Sequence, residues 1–356
     1  MFERDLWNPV IRIGFVLTFY VGLSFAILLA VVLRRGFYVD GRAYLSKMIE
    51  GTAWRPFVYR VLVPKTAFVV GQIAPLKHQT VHFVERFAKK HSWLLLGKAP
   101  VYRFEYFVVV LLMTLCLAAS GVVWKHSLSQ LYGYSPSLCW VLPVLGLVGL
   151  APILLLYGPY PYDPTTLFCF SLATYALLTT YRKLYYLSFV LAVLNKETAL
   201  LLPFMFWFAF ARGTPRRQLL GETALQLAVW GVWRYYLLRF YGSNAGVNME
   251  FHLFDYNLPF FTDFGLKHVR FGLVIAAALL LISYRWRQKP VVLRTLFALS
   301  CVFLLPLYVM FAWIDEFRGL LELYPLVFLL SAPSLIAALE GVSQKTPLAR
   351  SDSVNV

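Results

Sequence analysis

Four short stretches of this 356-residue chain carry carboxylates, three of them beside cations. The first, 38–64 (YVDGRAYLSKMIEGTAWRPFVYRVLVP), carries Asp40, Arg42, Tyr44, Lys47, Glu50, Arg55 and Arg60. The second, PYPYDPTTLF, carries Asp163; the third, LNKET, carries Lys196 and Glu197; the fourth, WIDEFRGLLE, carries Asp315, Glu316, Arg318 and Glu322. A positioned carboxylate can take a proton from a hydroxyl. Guanidinium and ammonium groups can hold an anion such as a phosphate. Such chemistry requires all four stretches to meet, although they are spread over nearly 300 residues.

The elements that must bring them together are apolar. The chain is 60% hydrophobic and 14% charged, whereas a soluble domain is about a quarter charged. Apolar runs fall at roughly 13–33, 104–124, 138–157, 164–181, 184–195, 197–211, 219–239, 271–284, 291–313 and 320–340. The expectation is an all-α polytopic membrane protein of about ten transmembrane helices, forming a single bundle over 1–341. A long first loop, 34–103, should lie on the outer surface as interfacial helices, its second half basic and amphipathic. The polar tail 342–356 is expected to be disordered. The first run ends at Arg34-Arg35 without a small-residue cleavage site and reads as an uncleaved anchor. The runs 184–195 and 197–211 are short and meet at Asn195-Lys196-Glu197-Thr198. Charges there must face protein or a wet cavity, so a polar elbow between two half-crossings is expected.

Lys and Arg in the short loops give the orientation. With the N-terminus cytoplasmic, the loops 125–137, 182–183, 212–218 and 285–290 and the C-terminal tail lie inside, and each carries Lys or Arg. Asp40, Asp163, Lys196, Glu197, Asp255, Asp263, Asp315, Glu316, Arg318 and Glu322 then share the outer face. The outer loop 34–103 departs from the charge bias, with thirteen Lys/Arg against three Asp/Glu. Loops beyond about 60 residues escape the rule, and so basic an outer loop suggests an anionic ligand. The net charge of +16 points to anionic lipid headgroups as partners. Nucleic acid is not expected, because no compact soluble basic domain exists. Cys116, Cys139, Cys169 and Cys301 all sit in apolar runs and read as small buried hydrophobes. His78 and His82 have a helical zinc-ligand spacing but no third ligand.

The layout resembles the GT-C superfamily of polytopic glycosyltransferases. The resemblance rests on a first span followed by Asp40, Tyr44, Gly51, Arg55, Pro56, Arg60 and Pro64. It rests also on Asp163 heading a helix, on the Lys196 elbow followed by Pro203, and on the late WIDEFRGLLELYP stretch. The first-loop motif is Asp-Gly, where several branches carry Asp-Glu, and no large C-terminal soluble domain is expected. The resemblance implies transfer of a sugar from a polyprenyl-phosphate carrier to an extracytoplasmic glycan, lipid or protein acceptor. It implies Asp40 as general base, with Tyr44 beside it. Arg55, Arg60, Lys196 and Arg318 are the implied phosphate-holding groups. Asp163, Glu197 and Glu316 would bind sugar hydroxyls or a divalent cation, magnesium or manganese. The implied location is a plasma (inner) membrane.

Each residue also has a plainer role. Asp40 and Asp163 suit helix N-caps. Arg55, Arg60, Arg234 and Arg239 suit snorkelling to headgroups. Lys196 and Glu197 suit a mutual ion pair, and Asp315–Arg318 a solvated turn. A transporter or flippase of lipid-linked glycans, or a non-catalytic envelope scaffold, are the alternative functions; a transporter would predict internal repeats, which the sequence lacks.

Overall fold

The computed structural model describes residues 9–34, 40–73, 102–262 and 265–340. The regular structure of these residues is all helical, without strands; one isolated bridge joins Arg55 to Gly246. Helix α1 (9–34) consists of Pro9–Phe15, a π-helical stretch Val16–Gly22 and Leu23–Arg34. Within the first loop lie α2 (Leu45–Glu50), a 3-10 turn Phe57–Tyr59 and α3 (Leu62–Gly71). Then follow α4 (Arg103–Tyr132), α5 (Pro136–Tyr157), α6 (Asp163–Leu178) and α7 (Arg182–Asn195). The 3-10 turn Glu197–Leu200 leads into α8 (Leu201–Phe210). The remaining long helices are α9 (Arg216–Phe240), α10 (Leu266–Ser283), α11 (Val291–Phe311) and α12 (Tyr324–Glu340).

All ten apolar runs are therefore helical, but among the described residues five helices are long and apolar enough to cross a membrane: Ile13–Leu33, Phe104–Tyr132, Pro136–Tyr157, Leu266–Ser283 and Val291–Phe311. Length accounts for most of the shortfall. The 16 residues of α6 rise about 24 Å and the 14 of α7 about 21 Å, short of a hydrocarbon core of about 30 Å. Charge accounts for α9, which has 25 residues but carries Arg216, Arg217, Glu222, Arg234 and Arg239. The basic second half of the first loop, with His78 and His82, lies outside the described residues, as do Asp263 and the tail.

Helix α6 is the axis of the bundle. It is buried on nearly every face, from Asp163 through Leu177, as expected of a helix that is apolar all round. It packs against α4, α7, α8 and α12. Single polar groups pin these contacts: Trp124 Nε1 donates to Ser171 Oγ at 2.9 Å, and Asn195 Nδ2 donates to Thr166 Oγ1 at 2.8 Å and to the Tyr162 carbonyl at 3.1 Å. Such bonds average only about 0.6 kcal/mol in membranes, yet they set register. The Asn195 pair fixes the C-terminus of α7 beside the N-terminus of α6, so Lys196-Glu197 must emerge next to Tyr162-Asp163. Small residues bring the helices close. A methyl group on Gly146 of α5 would come within 2.9 Å of Phe328 and Trp124.

The first loop is stapled to the segment after α9. Asn244 Nδ2 donates to the carbonyls of Gly51 (2.8 Å) and Ala53 (2.9 Å). Arg55 N donates to the Ala245 carbonyl at 2.8 Å. Gly51 ends α2 at φ +77, a left-handed conformation that glycine adopts without strain.

Candidate active site

A cavity of about 790 Å³ opens where the first loop, the N-terminus of α6, the α7–α8 elbow, α9, the 246–252 segment and the α11–α12 connection converge. One wall is apolar, including Leu200, Trp230, Phe303, Leu304, Leu307 and Phe311. The other carries Asp40, Asp163, Glu197, Glu250 and Glu316 with Arg42, Arg60, Lys196, Arg234 and Arg318. Five charges of each sign balance, so the cavity does not inherit the basic character of the chain.

Asp40 sits at the start of the first loop. It does not cap α2, whose N-cap is Tyr44; its Oδ1 instead accepts from the Arg42 backbone N at 2.9 Å and closes a tight turn. That turn folds the Arg42 guanidinium back onto the same carboxylate, with Nε at 3.0 and 3.1 Å and Nη2 at 2.9 Å. The other end of the guanidinium meets Glu250 Oε1 at 2.5 Å. The Tyr160 hydroxyl donates to Asp40 Oδ2 at 3.2 Å. Burial pushes the Asp40 carboxyl up, but the hydrogen bonds and charge of Arg42, with the Tyr160 hydroxyl, outweigh it and hold Asp40 below the usual aspartate value. Asp40 is therefore a carboxylate at neutral pH.

Tyr160 joins two parts of the site. Its ring lies 4.2 Å from the Arg318 guanidinium and stacks on Tyr162 at 5.3 Å. Burial lifts its phenol to about 12, so it donates a proton rather than carrying charge. Arg318 donates to the Gly158 carbonyl at 2.5 Å, pairs with Glu316, and lies 3.6 Å from Asp163 Oδ2. Asp163 also accepts the Tyr160 backbone N–H at 2.8 Å. Burial raises the Glu316 carboxyl further than Arg318 lowers it.

The elbow is as the short runs predict: Lys196 is extended (φ −156, ψ 147) between α7 and the 3-10 turn. Its two charges do not pair with each other. Lys196 Nζ reaches Glu322 Oε1 at 2.7 Å, where the Thr198 hydroxyl also donates at 2.6 Å. Glu197 Oε1 takes Arg60 Nη2 at 2.8 Å. Arg60 stacks on Tyr162, whose hydroxyl it also meets, so it is a cavity residue and not a headgroup anchor.

Seven of the nine sequence-derived site residues thus line one cavity: Asp40, Arg60, Asp163, Lys196, Glu197, Glu316 and Arg318. Tyr44 and Arg55 are not among its lining residues. Tyr44 packs beside Gly41, with the Lys47 ammonium 5.6 Å from its ring. Arg55 donates to the Gly246 carbonyl at 2.6 Å and ties the two loops together. The structure adds Arg42, Tyr160, Tyr162, Arg234, Asn248, Glu250 and His252 to the lining. The alternating tyrosines of PYPYDP were the available signal for two of these; the segment around Glu250 offered no spacing to read. Asp255 and Asp315 serve the 252–257 segment instead, meeting His252 at 3.2 Å and the Tyr256 hydroxyl at 2.9 Å.

Among the described residues no three His, Cys, Asp or Glu side chains gather closely enough to hold a metal ion. Each cavity carboxylate is instead engaged by an Arg or Lys, or by another hydrogen-bond donor. What the arrangement offers is an ionised carboxylate, a set of fixed guanidinium groups and a group of apolar side chains in one space. No family model matches the chain, and neither a curated protein nor a solved structure matches it.

Proposed function

We propose that this chain is a GT-C-like integral membrane glycosyltransferase that moves a sugar from a polyprenyl-phosphate carrier to a hydroxyl acceptor. The observation that carries this reading is the shared cavity: the Asp40 carboxylate, the cations and an apolar wall face one volume of about 790 Å³. An amphiphilic donor needs all three. Its sugar and phosphate require the polar wall, and its isoprenoid chain the apolar one.

In the proposed step an acceptor hydroxyl oxygen attacks the anomeric carbon. Its proton passes to the Asp40 carboxylate. The bond between the anomeric carbon and the phosphate oxygen breaks, and its electron pair leaves with the polyprenyl phosphate. The configuration inverts, because attack and departure occur on opposite faces. The departing phosphate gains negative charge, which nearby guanidinium groups stabilise more in the transition state than in the ground state. A carboxylate held below its usual range is a weak base. It suffices when the carbon–oxygen bond to the leaving group is largely broken before the hydroxyl gives up its proton.

On this reading the helices too short to span by themselves cross as tilted or paired segments, giving about ten crossings. Both termini are cytoplasmic, and the cavity opens to the outer leaflet of a plasma membrane. The test is transfer from a panel of radiolabelled polyprenyl-phosphate sugars in proteoliposomes, wild type against Asp40→Asn. The expected result is transfer from at least one donor by the wild type and its loss in the variant. No transfer from any donor by well-folded wild-type protein would overturn the reading.

A further inference from the structure

The five cavity cations are not equally available. Arg42 is held by Asp40 and Glu250, Arg60 by Glu197, Lys196 by Glu322, and Arg318 by Glu316, Asp163 and the Gly158 carbonyl. Displacing any of these onto a ligand would strand a carboxylate, and for Lys196 that carboxylate is Glu322, which is 1% exposed. Arg234 differs. Among the described residues no carboxylate lies within ion-pair distance of it. Its guanidinium rests on the face of Tyr59, 4.4 Å from the ring centroid.

Stacking uses the face of a guanidinium and leaves its in-plane N–H edge free, the edge that binds phosphate oxygens in pairs. The same tyrosine positions a second donor. The Tyr59 hydroxyl donates to Asn248 Oδ1 at 2.6 Å, and Arg55 Nη1 approaches that oxygen at 3.5 Å. With its oxygen so occupied, the exposed Asn248 retains its amide nitrogen as a donor, and Asn248 lines the same cavity as Arg234.

Resting on the transferase reading, we propose that Arg234 is the group that binds the carrier phosphate, with the Asn248 amide as its second donor, and that Lys196 is not. Tyr59 is a positioning residue for both. This assignment follows from which cation can take on an anion without leaving a buried carboxylate unpaired.

The test is a tryptophan-fluorescence titration of the purified full chain in detergent. The probes are C55 polyprenyl phosphate, C55 polyprenol, inorganic phosphate and phosphatidylglycerol. The wild type should bind polyprenyl phosphate at least tenfold more tightly than polyprenol. Arg234→Gln should weaken polyprenyl phosphate binding by roughly 10- to 100-fold and leave polyprenol unchanged. Arg234→Lys should recover part of the loss, and Asn248→Ala should cost about threefold. Competition by inorganic phosphate at high concentration supports a phosphate subsite. Equal affinity for phosphatidylglycerol would make it a general headgroup site and overturn the assignment to the carrier. An unchanged preference in Arg234→Gln, with loss in Lys196→Met, overturns the assignment while sparing the transferase reading. Absence of any phosphate preference in the wild type overturns both. Should Arg234→Gln lack a cooperative thermal transition, Arg234→Lys and Asn248→Ala decide: weakened phosphate binding in both supports the subsite, and unchanged binding in both overturns it.

Discussion

The hydroxyl of Tyr160 meets the carboxylate of Asp40 at 3.2 Å across 120 residues of sequence. Through its ring the same tyrosine supports Arg318. One side chain therefore ties the proposed base to Arg318, a second charged group of the same cavity. Neither local stretch has meaning without the other.

Removing the base should be more costly than any other single change at the site. Asp40→Asn keeps the shape and leaves Arg42 paired with Glu250. Transfer should fall roughly 10²- to 10⁴-fold, the usual contribution of a general base. Initial rates in proteoliposomes, with a thermal melt to establish folding, check this.

The pH profile should report Arg42. Because Asp40 lies below its usual value in the folded protein, it is ionised through the neutral range. Its stabilising contribution is fully present above the unfolded value of about 3.9 and is lost as the pH falls through the lower folded one. The acid limb of the rate should lie below that of an ordinary aspartate. Arg42→Gln removes the guanidinium's charge and hydrogen bonds and keeps those from the residue-42 backbone N–H and the Tyr160 hydroxyl, so the limb should move upward. An acid limb that stays in place in Arg42→Gln would remove Asp40 as its source.

The elbow ion pair should matter for stability before it matters for chemistry. Lys196→Met leaves Glu322 with only the Thr198 hydroxyl, and an unpaired buried charge of this kind costs about 3–5 kcal/mol. Pairing it with Glu322→Leu should restore most of the melting temperature. A detergent melt of the two variants measures the difference.

The bundle contact at Gly146 is testable by volume. Gly146→Ala sets a methyl group 2.9 Å from both Phe328 and Trp124, and overpacking of this kind costs about 1–3 kcal/mol. Gly133→Ala makes a control with open space around it but a positive φ of 59°, so its smaller loss should come from backbone strain alone.

Orientation can be read by labelling. With the four native cysteines replaced, Ser243→Cys should react with a membrane-impermeant maleimide from outside intact cells, and Gly213→Cys only after permeabilisation. The reverse pattern would move the cavity to the cytoplasmic face.

Helices and their rough limits were legible in the sequence, because the apolar runs are long, strongly patterned and punctuated by charge. So was the elbow, since Lys196-Glu197 between two apolar runs admits few local solutions. Seven of the nine residues singled out in the sequence line one cavity, and they could be singled out for the same reason: a charge in an apolar chain stands out. Pairing was not legible. Lys196 and Glu197 are neighbours, yet an extended backbone at Lys196 sends one to Glu322 and the other to Arg60. Nor could spacing separate Arg55, which holds two loops together, from Arg60, which faces the cavity. The sequence by itself determined that this is a helical membrane-type chain with its charges gathered in a few stretches. Tertiary structure alone decided which charges cancel and which remain available. Ion pairing depends on distances of a few ångströms, and here those are set by the packing of α6, α7 and α9 and not by separation along the chain.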